Sequence, residues 1–379
     1  MNTLATMRIG GRPIGGGAPL FVVAEIGLNH DGDPARAVAL VDAAAAAGAD
    51  AVKLQSLRAE TLVAPDSASD SGAGPQASLA HVDAPSLREI FARFELDEAA
   101  HRAVAERARA RGLAFLSSPF DEAAVDMLVR LGADALKIAS GDLTHHRLIG
   151  RAAATGLPLI MSTGLSTLEE VAAAVTCARE HGARSLALLH CVSAYPTPSD
   201  QQNLAAIRTL ATVFGLPVGL SDHTTEADGV AVAVTLGACL YERHVKASDT
   251  DEVIDAAVSA SPAALARIIA TAAATRAMLG DGVRRAQPAE RPNHAGSRRG
   301  LYAARDIAAG DVIAEADLVA LRPERGVPAD CWRGLAGTIA RRDAAVMSTL
   351  RRIRPWSPAP DGSPRPERRR LRGRRARRA

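Results

Sequence analysis

Cysteine and aromatic residues are both scarce in this sequence. Its four cysteines, Cys177, Cys191, Cys239 and Cys331, form no CxxC pair and are too widely spaced for a disulfide framework. They read as free thiols in a reducing compartment. Aromatics make up only 3% of the chain and alanine is abundant, a bias that favours helices. No stretch approaches the roughly 18 apolar residues of a membrane span. No charged segment followed by an apolar run opens the chain either. A cytoplasmic protein that does not enter the membrane is expected. No GxGxxG follows the first apolar run, which weakens the case for an open doubly wound sheet.

What is present is balanced in composition and uneven in charge. Hydrophobic residues at 47% and charged residues at 23% suit a soluble fold with a sizeable core, and 379 residues allow two or three domains. From Arg351 to Ala379, twelve arginines stand against Asp361 and Glu367, a net of +10; the whole chain carries +3, so the remainder is near −7. Residues 351–379 are rich in Pro and Arg and cannot build a core, so they read as a basic disordered tail. By charge alone the tail is like a nucleic-acid arm. No aromatic is interleaved with its arginine runs and no recognition module precedes it, so nucleic acid is not an expected partner.

Short apolar runs alternate with helical patterns along most of the chain. The candidate strands are Phe21–Leu28, Ala51–Gln55, Ala114–Ser118, Ala135–Ser140, Pro158–Ser162, Leu186–Cys191, Pro217–Ser221 and Cys239–His244. Apolar residues at helical spacing lie between them, as in Pro34–Ala47, Glu122–Leu131, Leu168–His181 and Asp228–Leu236, and Pro262–Leu279 follows the last strand. This alternation predicts an α/β fold, a (β/α)8 TIM barrel over residues 1–281. A linker follows over 282–298, then a small β-rich unit over 299–350. The connection after the second strand is long and passes through Asp66 to Pro75, over the face where barrels carry their active sites.

Nearly every candidate strand ends in polar residues. In a barrel, those positions carry catalysis while the strand bodies pack the interior. Lys53 and Lys137 lie at matching depth on the second and fourth strands. With the serines nearby they suit a ligand bearing a phosphate monoester and a carboxylate. A single strand lysine can instead snorkel to the surface. His223 and His244 end adjacent strands and could converge on a divalent metal with open positions, or each could be structural. Glu25 and Glu242 point toward the same mouth. They could orient a hydroxyl or handle a proton, or simply pair with Lys53 or Arg243. No adjacent base is identified for the cysteines, and Cys177, Cys191 and Cys239 read as core.

These segments carry a resemblance. Ala24-Glu25-Ile26-Gly27-Leu28-Asn29-His30-Asp31-Gly32 resembles the opening signature of the sialic acid (N-acetylneuraminate) synthase family. So do Val52-Lys53-Leu54-Gln55, Leu136-Lys137-Ile138-Ala139-Ser140-Gly141-Asp142, Ser162-Thr163-Gly164 and Leu189-His190-Cys191-Val192-Ser193-Ala194-Tyr195-Pro196-Thr197-Pro198. Gly219-Leu220-Ser221-Asp222-His223-Thr224 and Glu242-Arg243-His244 complete the set in the family's order. The unit from Arg299 to about Val346 resembles the family's C-terminal SAF (antifreeze-like, β-clip) domain. The sequence departs from the family at Ser193, at Val253-Ile254 before Asp255, and after Arg341-Arg342-Asp343, where the SAF domain reads as altered or incomplete.

The resemblance implies a nonulosonic acid synthase, a transferase that joins phosphoenolpyruvate to an N-acyl amino sugar. N-acetylmannosamine or a 2,4-diacetamido sugar would be the acceptor, and a nine-carbon 2-keto acid and phosphate the products. It implies that Lys53, Ser118, Lys137, Ser140, Ser162, Tyr195 and Ser221 bind phosphoenolpyruvate, with Ser193 binding substrate on the acceptor side. It implies that His223 and His244 hold a divalent metal, Mn2+ with Mg2+ or Co2+ as alternatives. Glu25 and Asp255 would contact the sugar, and Glu242 would take part in catalysis. Arg299 would reach the N-acyl group in the barrel of a partner within a domain-swapped homodimer. The competing expectations are a condensing enzyme with another aldehyde acceptor and a non-catalytic barrel with a basic tail.

Overall fold

The computed structural model describes residues 5–65, 86–226 and 229–350, and the chain divides into two compact units, Met1–Gly280 and Asp281–Ala379. The first unit opens with an antiparallel hairpin, β1 (Thr6–Ile9) and β2 (Arg12–Gly15). Eight strands follow: β3 (Phe21–Gly27), β4 (Ala51–Ser56), β5 (Ala114–Pro119), β6 (Ala135–Ile138), β7 (Leu159–Ser162), β8 (Leu186–Cys191), β9 (Val218–Asp222) and β10 (Leu240–His244). They pair in parallel and close into a barrel, with β10 meeting both β3 and β9. The expected strands are all present, with ends displaced by a residue or two.

The local reasons are visible in the sequence. The strands are short runs buried on both faces, as a parallel sheet covered by helices requires. The helix Pro34–Ala47 starts behind Asp33, whose side chain accepts from the Ala35 amide, and Gly48 ends it in the left-handed region at φ 91°. Thr167 and Glu170 form a reciprocal capping box ahead of Leu168–Glu180. Ser261 and Pro262 start the final helix, Pro262–Leu279.

Alternate residues serve two cores. Val22, Ala24, Val52, Leu54 and Tyr241 face the helices. Phe21, Val23, Ala51, Ala114, Leu116, Ala135, Ile160, Leu189 and Leu240 fill the barrel interior, and Met7, Ile9 and Ile14 of the hairpin pack against them. The hairpin was not among the expected elements. Its signal was Gly10-Gly11 between two short alternating segments. The helices Ala59–Leu62 and Leu87–Ala92 flank the long loop after β4. The stretch from Asp66 to Pro75 lies outside the described residues, as does Asp228.

In the second unit, β11 (Gly300–Ala303) pairs antiparallel with β12 (Leu318–Leu321) around Leu301, Ala303, Ile307, Ile313 and Val327. The segment expected to be a linker contains a helix, Arg291–Ser297. The stretch after Asp343, where the sequence leaves the family pattern, bonds back to the start of the unit: Ala344 pairs with Ile307 and Thr349 with Tyr302. The basic tail lies outside the described residues. No described helix is long and apolar enough to cross a membrane.

Candidate active site

The two-residue period of a strand builds this site. Two residues beyond an apolar residue of the inner core, six of the eight strands turn polar on the same face. Val23 leads to Glu25, Ala51 to Lys53 and Gln55, and Leu116 to Ser118. In the same way Ala135 leads to Lys137, Ile160 to Ser162, and Leu240 to Glu242 and His244. The outward faces of β9 and β10 carry Asp222, Tyr241 and Arg243.

The interior charges form one cluster. Lys53 Nζ lies 2.6 Å from Glu25 Oε2 and 3.2 Å from Glu242 Oε2, and Lys137 Nζ lies 3.2 Å from Glu242 Oε1. Ser221 Oγ donates to Glu242 Oε1 at 3.1 Å, and Lys53 donates to Ser118 Oγ at 3.3 Å. Lys53 is only 2% exposed and Lys137 7%, so neither snorkels. Both glutamates pair with lysine, whereas Arg243 pairs with Asp222 at 3.2 Å on the outer face.

Burial and neighbours set the protonation states. Burial, opposed by Glu242, brings the Lys53 ammonium down to about 7. Burial also pushes on Lys137, but Glu242 and Cys191 hold its ammonium above the usual lysine range. Burial alone would raise the Glu242 carboxyl; Lys137 and Lys53 instead hold it well below the carboxylate range.

The imidazoles lie beside this cluster. Ring centroids of His223 and His244 are 5.4 Å apart, and the Tyr195 ring is 4.1 Å from His223. His223 Nδ1 contacts the Val192 carbonyl at 3.1 Å, which leaves Nε2 as its other face. His244 Nδ1 is buried without a hydrogen bond, 3.3 Å from Asp255 Oδ2. Burial keeps His244 neutral, well below its ordinary value. Gly27 leaves room for this ring, since a Cβ there would sit 3.2 Å from His244 Cε1 and 3.0 Å from Glu25 Oε1.

A third group of side chains surrounds Gly164. Its amide donates to Ser140 Oγ at 3.1 Å, and a Cβ would come within 2.4 Å of Ser193 Oγ and 2.8 Å of Ser140 Oγ. Ser162 Oγ is buried without a hydrogen-bond partner. Arg299, just ahead of β11 in the second unit, is exposed and donates to the Ala320 carbonyl at 3.2 Å.

Sequence reasoning passed over three participants. Asn29, fully buried, donates to the Val245 carbonyl at 2.8 Å and to Ser259 Oγ at 2.9 Å, and accepts from the Asp255 amide at 3.2 Å. It ties the loop carrying Asp255 to β3. Cys191 faces the interior with its thiol 3.7 Å from His223 Nδ1, so it does have a neighbouring base. Burial would raise that thiol, but His223 and Lys137 bring it down to about 7. Gly164 is the third. Only its place next to Ser162, at a strand end, hinted at a role.

A NeuB family model matches residues 40–284, and a SAF domain model matches residues 298–345. The chain belongs to the NeuB family. It is a condensing enzyme, a transferase. It is similar to the N,N'-diacetyllegionaminic acid synthase of Legionella pneumophila, 34% identical over 89% of this chain and 95% of that protein. It is also similar to the pseudaminic acid synthase of Helicobacter pylori, 30% identical over 86% of this chain and 94% of that one. A crystal structure of the N-acetylneuraminic acid synthetase from Leptospira borgpetersenii superposes with a TM-score of 0.68 and 32% identity, covering 76% of this chain and 94% of that one. The NeuB-type barrel thus carries two buried lysines, two glutamates and two imidazoles at one mouth, with a SAF domain after it.

Proposed function

We propose that this NeuB-family enzyme condenses phosphoenolpyruvate with an N-acyl amino sugar to give a 2-keto acid and phosphate. The observation that carries the reading is the pair of buried lysines, Lys53 and Lys137, sharing Glu242 inside the barrel. Phosphoenolpyruvate bears a phosphate ester and a carboxylate on the same carbon, and two desolvated ammonium groups match that pattern. Ser118 and Ser221 already bond to the cluster, and Ser140, Ser162 and Ser193 supply further hydroxyls beside it.

The chemistry follows from these positions. The methylene carbon of phosphoenolpyruvate attacks the aldehyde carbon of the open-chain sugar; its C=C pair becomes the new C–C bond, and the aldehyde C=O π pair moves onto the oxygen, which takes a proton and becomes a hydroxyl. Water adds to the cationic C2, and a carboxylate takes the proton released; Glu25 and Glu242 are the groups in reach of the cluster. The tetrahedral carbon then expels phosphate by C–O cleavage, leaving the ketone. Lys53 and Lys137 hold the anionic charge throughout. Tyr195 stacks against His223 and walls the mouth, and Asn29 fixes Asp255 at the acceptor side.

The residues fit a divalent metal as a partial ligand set. His223 and His244 would hold it, with the orphaned His244 Nδ1 and a neutral ring as the observation in favour. Among the described residues no cluster of three or more His, Cys, Asp or Glu donors gathers, so substrate or water must complete the shell. When bound, the ion supplies Lewis-acid polarisation of the acceptor carbonyl.

Names among the relatives direct the acceptor search toward diacetamido sugars. The test is phosphate release from phosphoenolpyruvate with Mn2+ and a panel of N-acetylmannosamine and 2,4-diacetamido hexoses. Release with one sugar names the acceptor, and a folded, metal-loaded protein silent across the panel rejects the reading. Arg299 belongs to the same proposal. Its replacement by alanine is expected to raise the acceptor KM and leave that for phosphoenolpyruvate unchanged.

A further inference from the structure

Behind the two imidazoles, on the outer face of β9 and β10, lies a polar group that the condensation chemistry does not use. Asp222, Thr224, Tyr241 and Arg243 form it, and all four are buried. Asp222 is the centre. Its Oδ1 accepts from the Thr224 amide at 2.9 Å and from Thr224 Oγ1 at 2.8 Å. Its Oδ2 accepts from the Tyr241 hydroxyl at 2.5 Å and lies 3.2 Å from Arg243 Nη1. The guanidinium then reaches the loop after β9: Nη1 donates to Thr224 Oγ1 and Nη2 to the Thr225 carbonyl, each at 3.2 Å.

Each charged member stands one residue before an imidazole, Asp222 before His223 and Arg243 before His244. Asp222 and Arg243 are also the last pair of the β9–β10 ladder. His244 stays in register with Glu25 of β3, but His223 lies one residue past the end of β9. Residues beyond β8 hold His223 from one side: Nδ1 meets the Val192 carbonyl at 3.1 Å, and the Thr197 amide donates to the His223 carbonyl at 2.8 Å. The outer group supplies the hold from the other side, tying residues 222–225 to the strand that carries His244. A buried ion pair adds little net stability over apolar packing of the same volume, so stability alone does not account for this one.

We propose that Asp222, Thr224, Tyr241 and Arg243 are positioning residues for a divalent cation. They set the approach of His223 to His244, whose ring centroids are 5.4 Å apart, and thereby the affinity of the imidazole pair for the ion. The inference rests on the assignment of these two imidazoles as the metal-binding pair. The four residues act from behind the strands, through the backbone that carries each ring.

Mn2+ binding to the full-length protein, followed by loss of the free-ion electron paramagnetic resonance signal, tests the assignment. Ion affinity of the folded protein is a readout that a merely stabilising role would not move. Thr224→Val keeps the side-chain shape and the Asp222–Arg243 ion pair but removes the hydroxyl shared between them. It is expected to weaken Mn2+ by at least about tenfold, whereas Thr224→Ser, which keeps the hydroxyl, is expected to bind as the parent does. Should Thr224→Val fail to fold, Tyr241→Phe decides: it removes one hydroxyl from Asp222 and no charge, and a weakening of about threefold or more is expected. Parent affinity in the deciding variant overturns the inference, and so does equal weakening in Thr224→Ser. His244→Gln separates this failure from that of the metal assignment. Loss of Mn2+ there beside parent affinity in the deciding variant rejects the outer group alone, and parent affinity in His244→Gln rejects both.

Discussion

Lys53 and Lys137 divide one carboxylate between them: each ammonium lies 3.2 Å from a different oxygen of Glu242. Glu25, at 2.6 Å from Lys53, brings the buried group to charge balance without any ligand. An incoming dianion must compete with these internal partners. Glu242→Gln removes the main competitor and leaves an ammonium under-compensated. The free variant should therefore unfold more easily, by about 3 kcal/mol. Phosphoenolpyruvate should then raise its melting temperature by more than it raises that of the parent, because the ligand replaces the missing charge. Thermal shift with and without phosphoenolpyruvate checks this, and an equal or smaller shift rejects the shared-counter-ion account.

Gly164 is required for space and not for backbone freedom. A methyl group there would strike Ser193 Oγ at 2.4 Å and Ser140 Oγ at 2.8 Å. Gly164→Ala should displace both hydroxyls and lower kcat/KM by about tenfold or more, while overpacking costs stability only about 1–3 kcal/mol. Steady-state kinetics set beside a urea melt separates the two effects.

His30 gives the stability a sign with pH. Burial, with His101 nearby, lowers its imidazole from 6.5 to about 4. Between those values the unfolded chain binds the proton and the folded one does not, so stability falls as pH drops from about 6.5 toward 4. Denaturant midpoints across that range should decline on acidification, and His30→Gln should flatten part of the slope. An unchanged slope would assign the effect to other groups.

Removal of metal should stop turnover and spare the fold. Chelator treatment is expected to abolish phosphate release, with recovery on adding Mn2+. His244→Gln should not recover, since one of the two imidazoles is gone. Circular dichroism of the variant should match the parent. Normal turnover by His244→Gln removes this residue from the ligand set.

The barrel was legible because its signal is local. Each strand is a short apolar run, and the polar residue that ends it falls on the inner face by period alone, as with Ala135 and Lys137. The pairing inside was not legible. Nothing in the spacing of Glu25, Lys53 and Glu242 chooses lysine over Arg243 as the partner. That choice follows from which face of β10 each residue occupies, and it became definite only when β10 closed against β3. Cys191 is buried as expected, but the imidazole beside it was not legible for the same reason, since His223 arrives from the adjacent strand β9. Asn29 lies just past a strand end, and its partners come from residues 245–259, far along the chain.

The hairpin Thr6–Gly15 packs Met7, Ile9 and Ile14 into the far end of the barrel. The lysine cluster is thereby a dead end, entered from the mouth where Tyr195 and the two imidazoles stand. A molecule seated on Lys53 and Lys137 goes in first and is covered by the one that follows. On the proposed seating of phosphoenolpyruvate at Lys53 and Lys137, traffic through such a blind shaft is last in, first out, and the donor must load before the acceptor.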